Sequence, residues 1–515
     1  MLAVSMMAAL APALATAPAA AANTGSPAAP AVAGPAGSAT AAGAVPAARA
    51  PRKAVWKACG PELPAVLECA TVKVPLDHRR PGGERLDIAI SRIEATDPAK
   101  RRGALLINPG GPGVWGLDMP AYLQEAFPAS VRERYDLIGF DPRGVGSSSP
   151  LACGLSPEQL DGERAYRPES FARHTALVRD IADKCRAKYG EDTLKHFTTR
   201  NTARDLDVIR AALGERRISL LGYSYGTYLG AVYSQMFPRR VDRFVLDSAL
   251  DPGDVWQDTF RSWAPAAESA FDRWTRWTAA RSAAYGLGDT PAEVSRAFWD
   301  IVAQADREPI RVGGALLDGA RIRANMRTVF FTARAGAEAV VNLRRAAAGE
   351  PTPELPPLPP WDDNATSMFW AVTCGDANWP RDPESYRRDA VRDTVRYPLY
   401  GDYNANITPC AFWGRPAEPV TEVDNDVPAL VLQNEWDSQT PLDRAQGLRR
   451  AMDGSRMVTV DEGEGHGVYG TGVSSCADKV ADAYLTTGAL PARDVVCRPD
   501  PARERTAAKV PLPSR

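Results

Sequence analysis

The chain has 515 residues, 44% of them hydrophobic, enough apolar material for a globular protein and too much chain for one small core. Two packed units plus tails are expected. Lys and Arg number 61 against 63 Asp and Glu, a net charge of −2, so the basic excess of a nucleic-acid-binding protein is missing.

Residues 1–22 are apolar and small, and end in an Ala-rich stretch suited to signal cleavage. No Lys or Arg precedes Arg49, so the positive start of a secretory signal is absent; either the true start lies upstream or the signal is a weak one. Pro12 and Pro18 argue against a membrane-spanning helix, and no other apolar run is long enough to span a bilayer. Residues 23–53 are Ala/Pro-rich and read as a disordered linker. Eight cysteines follow, at 59, 69, 153, 185, 374, 410, 476 and 497, an even number that in an exported chain predicts disulfides. None sits in a C-x-x-C, so no zinc site is expected, and neither a metal nor another cofactor is implied. Proximity along the chain pairs Cys59 with Cys69, Cys153 with Cys185, Cys374 with Cys410 and Cys476 with Cys497. A secreted, extracellular monomer is expected, with the cell wall as a further destination.

Residues 54–255 alternate strand and helix patterns. Strands are predicted at Val72–Val74, Leu86–Ile93, Ala104–Ile107, Tyr135–Phe140, Ile218–Leu221 and Val241–Leu246. Helices are predicted at Ala203–Leu213, closed by Gly214, and at Thr227–Met236, stopped by Pro238. The strand at Ala104–Ile107 runs into Asn108-Pro109-Gly110-Gly111-Pro112-Gly113, a glycine loop that leaves backbone N–H groups uncovered. The loop Asp141–Ser148 reads as a structural corner near the site.

Strand signals fade over residues 256–415. Phe260–Tyr285, Pro291–Ala305 and Ala320–Ala347 read as helices, and Pro351–Pro360 is a Pro-rich connection. This block is expected to be a helical cap inserted into the core, with its tryptophans mostly interior. The alternation returns over residues 416–497, with strands at Val427–Gln433 and Met457–Val460 and helices at Leu442–Met452 and near Ala477–Thr487. Residues 498–515 read as a loose tail.

Gly222-Tyr223-Ser224-Tyr225-Gly226 lies between a predicted strand and a predicted helix. In that context a G-x-S-x-G is a nucleophile elbow: a sharp turn exposes the Ser224 hydroxyl, and glycines let strand and helix approach. Of the four histidines, His174 and His196 look solvated in a charged helical region, and His78 lies in an early loop. His466, between Gly465 and Gly467 after a C-terminal strand, is the expected base. Asp437 follows the preceding strand and completes the order Ser, Asp, His of α/β-hydrolases. Asp247 is its competitor. The oxyanion hole is expected from the glycine loop, at Gly111, and from the N–H of Tyr225.

Gly222–Gly230, Asn108–Gly113 and Asp141–Ser148, with the segment around Asp437 and Gly465-His466-Gly467, resemble the secreted tripeptidyl aminopeptidases of actinobacteria. These are relatives of prolyl iminopeptidases among the α/β-hydrolase serine exopeptidases. The resemblance runs from about Trp56 to Cys497. It implies an α/β-hydrolase fold, a mostly parallel central sheet flanked by helices, with a cap. It also implies removal of short peptides from free N-termini, with Ser224, Asp437 and His466 as the triad. Asn108 stands where the prolyl iminopeptidase branch has His before the two glycines, which bears on the branch and not on the chemistry. An exopeptidase needs an anion for the substrate's α-ammonium, and Asp376, Glu435 and Glu464 are the candidates. An esterase or lipase uses the same triad and stands as the alternative. A catalytically dead binding module is disfavoured because serine, acid and histidine are all present.

Overall fold

The computed structural model describes residues 53–160, 164–353 and 361–501. The expected signal at 1–22 and nearly all of the linker lie outside the described residues, as does most of the Pro-rich connection. The strands are β1 Lys57–Ala58, β2 Glu68–Pro75, β3 Arg85–Ile93, β4 Gly103–Asn108, β5 Tyr135–Phe140, β6 Ile218–Tyr223, β7 Val241–Asp247, β8 Ile310–Val312, β9 Ala315–Leu317, β10 Ala429–Trp436, β11 Arg456–Glu464 and β12 Val495–Cys497. Among the described residues one sheet has ten strands in the order β1-β2-β3-β5-β4-β6-β7-β10-β11-β12. Antiparallel pairing joins β1 to β2, β2 to β3 and β3 to β5. From β5 to β12 every neighbouring pair is parallel.

The central strands β4, β5 and β6 are buried along their whole length, as expected of parallel strands covered on both faces. Their alternate side chains feed two cores. Leu106, Leu220, Phe244 and Val431 pack with Leu206, Ile209, Leu229 and Val232 of the helices Thr199–Ala212 and Tyr225–Met236. Leu105, Leu221, Val245 and Leu432 pack on the other face with Phe127, Ala481 and Tyr484. Because the functional loops leave the C-terminal ends of parallel strands, they gather along one edge of the sheet.

A helical segment separates β7 from β10, with helices Gln257–Ala279, Pro291–Arg307, Gly319–Val329, Ala333–Ala347, Asp363–Asp376 and Pro383–Arg396. The first four share a core around Phe271, Trp274, Phe298 and Phe330. The helix Asp363–Asp376 belongs instead to the main core through Met368, Trp370 and Val372. All described residues therefore lie in one compact unit, where two were expected. The helix expected over Ala320–Ala347 breaks at Phe330–Thr332, and the short hairpin β8–β9 gave no strand signal. Trp256, Trp274, Trp370, Trp379 and Trp413 are interior, whereas Trp361 is 40% exposed.

Disulfides join Cys59 to Cys69, Cys153 to Cys185, Cys374 to Cys410 and Cys476 to Cys497. Of the expected loose tail, Arg498 and Asp500 are pinned: Ser474 Oγ donates to the Arg498 carbonyl, and the Asp500 N–H donates to the Val473 carbonyl. Residues 502–515 lie outside the described residues. Among the described residues no helix is long and apolar enough to cross a membrane.

Candidate active site

Ser224 sits between β6 and the helix Tyr225–Met236 with φ 54° and ψ −121°, a left-handed backbone strained for any residue with a Cβ. The flanking glycines have a steric reason. A Cβ on Gly222 would lie 2.4 Å from the Gly226 carbonyl oxygen, and one on Gly226 would lie 2.8 Å from Asn108 Oδ1. Tyr225 opens the helix, so its N–H has no partner within the helix. The Tyr225 ring turns into the core, where its hydroxyl meets Thr199 Oγ1 at 2.9 Å.

The glycine loop closes on this elbow. Gly110 and Gly111 both have positive φ, 107° and 108°. A Cβ on Gly110 would lie 2.9 Å from Ser224 Cβ and 2.9 Å from the Tyr223 carbonyl oxygen. Gly110 is thus the loop residue pressed against the elbow, a relation the sequence reading did not single out. The same test on Gly111 meets Gly113 and Val114.

His466 follows β11, and its Nδ1 lies 2.7 Å from Asp437 Oδ2. Asp437 is fully buried and takes three further hydrogen bonds. The N–H groups of Gln439 and Thr440 donate to Oδ1, and Thr440 Oγ1 donates to Oδ2. Burial works to raise the Asp437 pKa, but the His466 contact and the backbone donors outweigh it and hold it below the usual carboxylate value. Burial works to lower the His466 pKa, yet the charge and hydrogen bond of Asp437 leave it above its ordinary value.

Asp247 does different work. Its carboxylate accepts the N–H groups of Val468 and Tyr469, and Ser248 Oγ accepts the Gly467 N–H. Its carbonyl oxygen accepts the Ser224 N–H. One residue therefore ties the elbow to the loop that carries His466. Burial pushes its carboxyl up to about 7. Tyr223 Oη also donates to the Tyr469 carbonyl, a second tie between the two segments. Asn434, whose part the sequence did not reveal, donates Nδ2 to the carbonyls of Gly465 and Gly467 on either side of the imidazole.

The other histidines lie elsewhere. His78 contacts Asp205 and Arg143. His174 and His196 are not solvated as expected: each is packed against the fold. Burial drives the His174 pKa down to about 4, and His196 is 6% exposed. Asp376 is buried and already takes the Thr199 N–H, Thr199 Oγ1 and Trp256 Nε1. Glu435 accepts the Glu462 N–H, and Glu464 accepts the N–H of Ala333 at the start of a cap helix. Among the described residues no three His, Cys, Asp or Glu side chains come together as metal ligands.

Known proteins match this chain along most of its length. Residues 103–296 match the family described as "alpha/beta hydrolase fold", and residues 397–497 match "TAP-like protein". The tripeptidyl aminopeptidase of Streptomyces coelicolor is 37% identical over 483 residues, covering 88% of this chain and 88% of that protein. Serine protease Hip1 of Mycobacterium tuberculosis is 31% identical, covering 85% of this chain and 88% of that one. Carboxylesterase B of the same organism is 30% identical, covering 84% and 86%. With an elbow serine, a carboxylate-bound histidine in α/β-hydrolase order and identity along most of its length, the chain belongs to the tripeptidyl aminopeptidase-like family of serine peptidases with the α/β-hydrolase fold.

Proposed function

We propose that the protein is an exported serine exopeptidase that releases short peptides, of tripeptide type, from free N-termini. Ser224 is the nucleophile, His466 the general base and Asp437 the group that fixes the imidazole tautomer. In acylation His466 Nε2 takes the Ser224 proton as Oγ attacks the scissile carbonyl. The N–H of Tyr225 and an N–H of the glycine loop, from Gly111, stabilise the oxyanion. His466 then protonates the leaving amine, and water hydrolyses the acyl-enzyme with the roles reversed. The observation that carries this reading is the buried Asp437 bound to His466 at 2.7 Å, on a loop tied through Asp247 to the strained Ser224. The helical segment at 256–415 acts as the cap that limits which peptide ends enter. The four disulfides support an oxidising, extracellular setting.

For the substrate α-ammonium, Asp376 fits poorly because three donors already occupy its carboxylate. Glu464 and Glu435 fit better. Both add negative charge near the half-buried Arg273, and a substrate ammonium would add a second positive charge there. Glu464→Gln should raise KM for free-amine peptides far more than for simple esters; equal loss on both removes it from this role.

A carboxylesterase acting through the same residues is the second reading, favoured by the likeness to carboxylesterase B. Tripeptide, dipeptide and single-residue chromogenic amides, each with a free or acetylated amino end, separate the two when assayed beside a short-chain ester. Ser224→Ala is the control. Preference for free tripeptide amides supports the exopeptidase. Equal cleavage of acetylated peptides overturns it, and activity on esters alone favours the esterase.

A further inference from the structure

Arg327 lies on the helix Gly319–Val329 of the cap, yet only 4% of it is exposed. Its guanidinium stands 4.7 Å from the centre of the Trp263 ring and 4.8 Å from that of Tyr400. Aromatic faces offset part of the cost of removing a cation from water. Nη1 donates to Gln439 Oε1 at 2.9 Å. Gln439 is the residue whose N–H donates to Asp437 Oδ1, and its carbonyl accepts Trp263 Nε1. Two cap side chains therefore hold one residue of the turn that carries the acid. Immediately after this helix the cap chain breaks, and the Phe331 ring comes to 6.5 Å from the His466 ring.

We propose that Arg327 is a positioning residue through which the cap fixes the turn of Asp437 and so the imidazole bound to it. The inference rests on His466 serving as the base of Ser224. His466 is bound by Asp437 from the turn after β10; Asp247 at the end of β7 and Arg327 of the cap also act on its charge, and Glu464 lies two residues upstream. The two aspartates favour the imidazolium, whereas burial and Arg327 oppose it. Arg327 thus offsets part of the carboxylates' pull and leaves more of the imidazole free to accept a proton near neutrality. A cap seated differently would remove that charge and loosen the acid's turn together.

The test is the pH profile of kcat/KM on a free tripeptide amide for Arg327→Met, Arg327→Lys and Gln439→Ala. Labelling of Ser224 by a fluorophosphonate is followed over the same pH range. Arg327→Met should move the acid limb of both profiles up, since an opposing charge is gone. Its kcat should fall about tenfold through the loosened turn. Arg327→Lys, which keeps the charge, should leave the limb near the wild-type position. Gln439→Ala should lower kcat at every pH without moving the limb. Coincident limbs for the Met and Lys variants overturn the charge role, and an unchanged kcat in Gln439→Ala overturns the positioning role. Should Arg327→Met not fold, Gln439→Ala still decides the latter. Labelling of Ser224 that persists unchanged in His466→Ala points to failure of the triad reading, not of Arg327.

Discussion

Asp247 Oδ2 accepts the backbone N–H of Tyr469 at 2.7 Å, while the Asp247 carbonyl oxygen accepts the N–H of Ser224 at 2.9 Å. A carboxylate so placed is a strut between elbow and histidine loop. Asp247→Ala leaves the buried N–H groups of Val468 and Tyr469 without acceptors, at about 1–3 kcal/mol each. We expect urea unfolding to show a loss of at least about 2 kcal/mol, with activity falling as the loop drifts. Asp247→Asn keeps one acceptor oxygen and should lose less. A wild-type midpoint in Asp247→Ala would show that the strut carries no weight.

Asp437 should give the opposite pattern. In Asp437→Asn the amide oxygen stays with the N–H groups of Gln439 and Thr440, so the NH2 replaces Oδ2 opposite His466 Nδ1 and favours the wrong tautomer. Loss of about 10⁴ in kcat is expected, the size seen when a triad aspartate is neutralised. The shape of the side chain survives, so thermal stability should change little. Steady-state kinetics on Asp437→Asn and Asp247→Asn side by side distinguish the two acids. Near-normal turnover in the first with loss in the second would exchange their roles.

How far the sequence could be read depended on the range of the interaction. The elbow is local: Gly222, Ser224 and Gly226 carry their own geometry, and a run such as Ile218–Leu221 announces a buried strand. His466 is marked by its flanking glycines. Asp376 shows the opposite case. Its place beside Cys374 does pin it, but inward, against Thr199, which lies 177 residues away in the chain. The hold of Arg327 on Gln439 spans 112 residues and leaves no trace in local spacing. The break at Phe330–Thr332 falls in Thr328-Val329-Phe330-Phe331-Thr332, β-branched and aromatic residues of weak helix propensity, and Phe330 packs in the cap core. His174 is buried because a charged helix can turn one face to the fold, whereas His196 is buried in the turn after the helix Glu191–Leu194, and neither shows in local charge.

With His466 as the proposed base, its protonation should set the acid side of the activity profile. Burial disfavours the imidazolium, but Asp437 more than compensates, so the pKa lies above the ordinary 6.5. The base must be neutral to take the Ser224 proton. The kcat/KM profile should therefore fall on the acid side with a midpoint above 6.5. Stability follows with a fixed sign. A histidine whose folded pKa is raised contributes stability that is complete below the unfolded value and is lost as pH rises through the folded one. His466→Gln should accordingly flatten the fall in stability across that window. An acid midpoint below 6 would contradict the dominance of Asp437.

Gly110 offers the sharpest steric test. Its φ of 107° lies where L side chains are strained, and an added Cβ would meet Ser224 Cβ and the Tyr223 carbonyl oxygen, each at 2.9 Å. Neither neighbour yields easily. Ser224 is fixed by its N–H bond to Asp247, and Tyr223 belongs to the central strand β6. Gly110→Ala must therefore push the glycine loop off the elbow and carry the loop N–H groups away from the oxyanion. Removing one oxyanion donor costs about 10²–10³ in kcat, and a loss in that range is expected here. Fluorophosphonate labelling of Ser224 should slow in parallel, because the phosphonyl oxygen uses the same donors. Gly214→Ala is the matched control: its φ is 78° and a Cβ there meets nothing within 4 Å, so it bears backbone strain without the elbow contact. If both variants lose activity equally, the loop acts through general stability; loss confined to Gly110→Ala assigns it to contact with Ser224.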